Sequence, residues 1–568
     1  MRESAGGKRR AQVCLLGALV LAVIAPGCRR SAASDPLGLF EEDFFPVLFE
    51  HRPTLGASCG LHRYDGRLDD LSPLEIGNRV SDLNSFLGRL QRLEQLKLTA
   101  LDSACVRQAE AWIRAEIQRV SEHGIWRTHP EAYFELAIGE LARLKEAAYA
   151  TPAQRLGAVV GLLNELPGLL AAMRGNVGSV TPEGQERALQ LARKLHAALQ
   201  GELADWAREA AGVDVALIEE YRAAASQAGK ELELAIDWLN QRALEPSRAN
   251  ALGPRFEPWL RQELGVEMPL EELEKLAAAS FQASARRYSK GVAAGRPSEL
   301  KPTGQSPKPA APLSPAERMA EARRALGQVT ASGLVQRLFP DAEPPVPAWR
   351  LTRTTLVIDG RPVFCLLPGP LAPHEEPPVW LTPTEFHDTA PWAGTLAGVR
   401  LQLVRDLYPG SWYWERQLTR QRRMIPKVMA CPVMKAGWPL YVVELLVGEN
   451  YWATEPEVAR AAALHLMLAD AMWFGALKFH RGHWTLQQLV EWLHTSVELE
   501  ADTARSQAVL IARQPQVMLP GLGRALILQL WERYRSSTHR SRADFHSALI
   551  THAGLRIRDL ERLILPGD

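Results

Sequence analysis

The sequence is poor in the residues that mark many familiar sites. Six cysteines stand among 568 residues, and no two of them form Cys-x-x-C. That spacing excludes a zinc knuckle. No Gly-x-x-x-x-Gly-Lys-Ser/Thr stretch occurs, which removes P-loop chemistry. An excess of one charge is missing as well. Lys and Arg number 66 against 65 Asp and Glu, so nothing global is set up to hold a nucleic-acid backbone. No fixed-period repeat is evident, which argues against solenoids and propellers. What remains is an ordinary folded composition, 46% hydrophobic and 23% charged. The chain is long enough for two or more sizeable cores.

The first 28 residues are set apart from the fold. Lys8, Arg9 and Arg10 precede an apolar run, Val13 to Gly27, that is too short to span a bilayer comfortably. It ends in Ala25-Pro26-Gly27-Cys28. The segment resembles a bacterial lipoprotein signal, in which the cysteine is acylated and becomes the mature N-terminus. Lipid on Cys28 would anchor a soluble body to a membrane. The expected location is the cell envelope, at the outer membrane or the periplasmic face. The alternative is a secreted protein with Cys28 incidental. Cys14 lies inside the signal. For Cys59, Cys105, Cys365 and Cys431, disulfides of unassigned pairing and buried free thiols are both open.

Residues 36–290 read as a helical region. Ser72-Pro73-Leu74-Glu75 has the form of a capping box. Ile76, Val80, Leu83, Leu87 and Leu90 then recur at helical spacing. Thr151-Pro152-Ala153-Gln154 opens a second helix in the same way. Residues 291–316 hold a Pro-rich stretch without apolar period and read as a linker or long loop. Ser314-Pro315-Ala316-Glu317 caps the helix that follows. Thr354 to Leu367 places Asp359-Gly360 between two β-rich runs, a hairpin signal within a small β region around 350–385. Helical pattern returns from about Pro391 to the end.

Three stretches resemble one family. Gly60 to Pro73, GLHRYDGRLDDLSP, is similar to the opening of the bacterial "domain of unknown function 885" family, whose members are mostly predicted zinc metallopeptidases of the thermolysin-like clan. The resemblance implies a mainly α, metallopeptidase-like fold, with residues 317–568 holding the catalytic region and zinc as the cofactor. The family's His-Glu-x-Tyr-Pro-Gly-His-His matches Arg405 to Trp412, RDLYPGSW. Tyr408, Pro409 and Gly410 are kept. Arg405, Asp406, Ser411 and Trp412 stand where His, Glu, His and His are expected. The family's Glu-Gly-Trp-Ala-Leu-Tyr matches Ala436 to Tyr441. Gly437, Trp438 and Tyr441 are kept, and Ala436 replaces the metal-binding Glu. In a third stretch His480 fits, Ala476 stands for an Asp and Lys478 for a Gly. Gln516 is kept beyond it, while Pro520 and Gly521 replace Tyr-Lys.

These substitutions remove lone-pair donors. Arg405 is a fixed cation and Ala436 has no donor atom. The zinc implied by the family is therefore not expected, nor a catalytic set, and no other cofactor is expected. The one His-Glu dipeptide, His374-Glu375, is followed by Pro377 and Pro378, which bars a helix interior. His480 and His483 read as packed or surface residues at a helix end. His62, His387 and His465 stand alone. Trp412, Tyr413 and Trp414 read as core filler, with a peptide-binding wall as the alternative. Arg420, Arg422, Arg423 and Lys427 read as a solvated helix face, with an anionic partner as the alternative. The expectation is a lipid-anchored, non-catalytic relative of metallopeptidases with a binding or scaffolding role toward a peptide or protein. Two alternatives stand beside it. One is a weak hydrolase built on Asp406, His480 and Glu415 or Glu444; the other is a purely structural envelope protein.

Overall fold

A computed structural model describes residues 35–121, 124–245, 251–294, 312–346, 348–351, 356, 363–365, 369–372, 378–381 and 394–566. The architecture is mainly α. In chain order the long helices of the first part are α1 (Pro36–His51), α2 (Pro73–Leu93), α3 (Ala100–Ser121), α4 (Glu131–Glu146), α5 (Pro152–Asn176), α6 (Pro182–Gln200), α7 (Val215–Asn240) and α8 (Leu270–Ala294). α9 (Pro315–Ala331) precedes three short strands, β1 (Ala348–Leu351), β2 (Val363–Cys365) and β3 (Pro378–Leu381). After them come α10 (Leu396–Gln402), α11 (Ser411–Thr419), α12 (Pro432–Gly448), α13 (Pro456–His480), α14 (Ala501–Arg513), α15 (Leu519–Thr538) and α16 (Arg542–Thr551).

The start signals work as capping chemistry predicts, with one exception. Thr151 and Ser314 each form the reciprocal box with Gln154 and Glu317. At α2 only half the box forms. Ser72 Oγ accepts from Glu75 N, but the Glu75 carboxylate is taken by His51 Nδ1 at 2.5 Å, and Ser72 N donates to Asp70 instead. The predicted stripe on α2 is otherwise the buried one: Ile76, Leu83 and Leu90 face inward, joined by Arg79 and Phe86.

Burial divides into two hydrophobic cores. One is built by α4 to α7, where the apolar face of α5 packs on α7. The other joins α1 to α3 to α8, α9 and the helices that follow the strands. α5 and α13 are apolar enough to cross a bilayer by length and composition, and each buries half or more of that stretch in its core. The strands lie in the order β1–β3–β2, with β1 parallel and β2 antiparallel to β3. The Asp359-Gly360 turn and most of the Pro-rich stretch lie outside the described residues, as do Cys28 and the signal segment.

Side chains tie the first helices to the C-terminal part. Arg423, expected on a solvated face, is buried and pairs with Asp102 at 2.8 Å and Glu41 at 3.7 Å. The basic cluster spans the end of α11, a turn and the short helix Met424–Val428. It therefore has no common face, and Arg420 reaches out to Glu343. Cys59, Cys105 and Cys431 are free, buried thiols. Burial pushes Cys59 up to about 12, far from the thiolate that reactivity requires.

Candidate functional site

α10 runs into one π-helical turn, Leu403–Leu407, which bears Arg405 and Asp406. The Arg405 guanidinium donates from Nε and Nη2 to the two Asp406 oxygens, each at 2.7 Å. The chain then turns through Tyr408, Pro409 and Gly410 into α11, and the Tyr408–Pro409 bond is cis. Gly410 is required sterically, because a Cβ there would collide with the Arg405 carbonyl. Ser411 Oγ donates to that same carbonyl at 3.4 Å.

α12 holds this turn from behind. Trp438 Nε1 donates to the Pro409 carbonyl at 3.0 Å. The indole is fully buried and packs on Trp414, Tyr441, His546 and Phe339, with ring centroids 5.4 to 5.9 Å away. Tyr441 Oη bonds His546 Nε2 at 2.7 Å. His546 Nδ1 donates to the Leu338 carbonyl at 2.8 Å, which leaves Nε2 as the acceptor for tyrosine. Gly437 lies where α12 crosses α15, and a Cβ on it would collide with the Gly523 backbone. Gly410, Gly437, Trp438 and Tyr441 thus let two helices touch and pin the turn between them.

The opposite face of α12 lines a cavity of about 690 Å³. Lys435, Ala436, Pro439 and Leu440 form one wall, and Arg405, Asp406, Ser411, Trp414 and Glu415 a second. α13 supplies His465, Leu468 and Met472, and α14 supplies Thr503, Gln507 and Leu510. Glu415 pairs with Lys435 at 2.5 Å. The carboxylate holds the Lys435 ammonium above its ordinary range. The volume and the mostly apolar lining with a few polar groups fit a small-molecule or side-chain pocket.

The cavity gathers four of the positions singled out in the sequence: Arg405, Asp406, Ser411 and Ala436. Pro520 joins them, and Gly521 packs beside it against Ala469. Others lie elsewhere. Trp412 is buried in the core and is not among the lining residues. Ala476 is buried in α13. His480, at the end of α13, stacks on Phe256, donates from Nε2 to the Ile511 carbonyl at 3.0 Å and accepts at Nδ1 from Leu252 N. Burial pushes its pKa down to about 4. His483 sits at the surface beside Glu274. Gln516 lines a separate cavity of about 280 Å³ with Gln108 and Arg119. His62 is held by Asp65 and stacks on Tyr149. His374, Glu375 and His387 lie outside the described residues.

Sequence reasoning misses three features. The first is the ion pair Glu415–Lys435, whose partners sit on different helices. The second is the buried set Arg524–Asp470 (2.7 Å) with Glu444, which Arg524 and Arg287 both reach. Burial raises Asp470 to about 6 despite Arg524 beside it. The third is a pattern in plain sight. Gly56-Ala57-Ser58-Cys59-Gly60 has the letters of a nucleophile elbow. Ser58, however, ends the short helix Pro53–Ser58, is exposed, and donates to the Leu55 carbonyl. An elbow needs a strand-to-helix turn.

Among the described residues no three His, Cys, Asp or Glu side chains group as a metal ion requires. A search of curated proteins returns no match. Among solved structures, the fold resembles a candidate lipoprotein of unknown function from Shewanella oneidensis. That likeness has a TM-score of 0.72 at 16% identity, covering 94% of this chain and 100% of that one. It also resembles a candidate lipoprotein from Colwellia psychrerythraea, with a TM-score of 0.75 at 14% identity over 93% and 98%. At such identities the likeness is one of fold. The model of the family described as "Bacterial protein of unknown function (DUF885)" matches residues 53–336, ending before the cavity residues begin at Arg405. That match spans half of the chain, and the chain belongs to the DUF885 family.

Proposed function

We propose that this DUF885 protein is an exported, lipid-anchored binding protein that works without zinc and without hydrolysis. The reading is carried by one observation: the cavity wall where the family pattern calls for metal ligands presents a guanidinium, a hydroxyl and a methyl group. Zinc does not suit this donor set. Both Asp406 oxygens are engaged by Arg405, Ala436 offers no lone pair, and a dication beside the guanidinium meets like charge. A weak hydrolase using Asp406 with His480 has less support, because both His480 nitrogens bond backbone atoms away from the cavity. The open cavity argues against a purely structural role. Its occupant is a peptide or protein segment.

Metal analysis and a peptide screen test this together. The expected result is binding of peptides without cleavage, unchanged by chelator or by added zinc. Stoichiometric zinc whose removal abolishes peptidase activity overturns it. The anchor rests on the Ala25-Pro26-Gly27-Cys28 sequence and gains support from the likeness to two candidate lipoproteins. Cys28→Ser is expected to move the protein from the membrane fraction to the soluble envelope fraction. Unchanged fractionation would remove the lipid from the proposal.

A further inference from the structure

The cavity's chemistry narrows what it accepts, and this step rests on the binding reading above. Its charges are already matched. Arg405 is satisfied by Asp406 and Lys435 by Glu415, so the wall offers no net charge to an ionic ligand. His465 is itself engaged by another group. The remaining wall is mostly aliphatic, contributed by residues such as Leu440 and Leu468, with Ser411, Thr503 and Gln507 as neutral polar groups. One buried donor on this wall is left over. Trp414 lines the cavity, is 1% exposed, and its Nε1–H has no acceptor within the protein. A buried donor without a partner costs free energy that an incoming acceptor recovers.

We propose that the cavity takes an uncharged aliphatic group joined to a carbonyl, with the carbonyl oxygen accepting from Trp414 Nε1–H. An acyl amide or ester and an internal apolar residue of a peptide share this chemistry. Burying an additional, unpaired charge among Arg405, Asp406, Glu415 and Lys435 is unfavourable. The site therefore rejects fatty-acid carboxylates, alkylammonium ions and charged side chains.

Calorimetry on the full mature chain tests this with octanamide, octanoate, octylammonium, N-acetyl-leucine amide and N-acetyl-lysine amide. The two neutral probes are expected to bind, and each charged counterpart to bind at least about tenfold more weakly. Octanamide against N-acetyl-leucine amide distinguishes a lipid-like from a peptide-like source. Trp414→Phe is expected to weaken octanamide by about tenfold while leaving ethylbenzene, which has no carbonyl, unchanged. Ala436→Phe, which fills the cavity from another helix, is expected to abolish binding of every probe. Octanoate or octylammonium binding as tightly as octanamide overturns the inference, as does an absence of binding by both neutral probes. Cleavage of a bound peptide amide would instead overturn the non-hydrolytic reading and leave the selectivity standing.

Discussion

The two faces of α12 make a sharp contrast. On one, Gly437, Trp438 and Tyr441 are locked by backbone contact, ring packing and hydrogen bonds. On the other, Lys435, Ala436, Pro439 and Leu440 border open volume. Residues three and four apart share a helix face, and their immediate neighbours do not. The fold therefore depends on the first face, while the second is free to change its chemistry. That separation explains how the cavity wall can carry an arginine and an alanine while the surrounding frame stays intact.

Loading the packed face should have the largest effect. Gly437→Leu forces a side chain into the Gly523 backbone. No soluble folded protein is expected, or a loss of more than about 3 kcal/mol by urea denaturation. Gly437→Ala with near-native stability would refute the close crossing. Trp438→Ala removes a fully buried indole and its bond to Pro409, and should cost about 3–5 kcal/mol by the same measurement.

Buried histidines give the fold a pH signature as well. Burial holds His546 down at about 3 and His480 at about 4, against an ordinary 6.5. The folded chain leaves both neutral while the unfolded chain takes up protons below pH 6.5. Stability is thus complete above pH 6.5 and falls as the pH drops from there toward 4 and 3. His546 alone should account for about 2 kcal/mol between pH 6.5 and 5. His546→Phe should flatten denaturation midpoints over that range. Asp470, raised to about 6, acts in the opposite sense, since the folded chain binds its proton first as pH falls. Asp470→Asn should therefore steepen the acid-side decline.

The open face should barely register in stability. Lys435→Arg keeps a cation beside Glu415 at a position whose side chain is 55% exposed, and should change stability by less than about 1 kcal/mol. A change comparable to that of Trp438→Ala would erase the distinction between the faces.

Much of the frame was readable because its signals are local. Thr151 and Ser314 announce their helices by the residue three positions on, and the α2 stripe shows its period directly. Gly410, Gly437 and Trp438 stood out through resemblance to a pattern. The rest depends on neighbours far away in sequence. Glu75 abandons its capping box because His51 lies beside it in space. Arg423 is buried because Asp102 and Glu41 meet it from α3 and α1. His480 matched a motif letter but lies away from the cavity, since Ile511 and Leu252 claim its nitrogens. The aliphatic wall drawn from α13 and α14 carries no motif at all, because any apolar residue can fill such a position.

The meeting of α12 and α15 through two glycines has one more consequence. With backbone resting on backbone, the spacing of these helices is set by the skeleton and has no soft side-chain layer to compress. A chamber mounted on such a joint keeps its bore. Changing its width would require the backbones themselves to move apart.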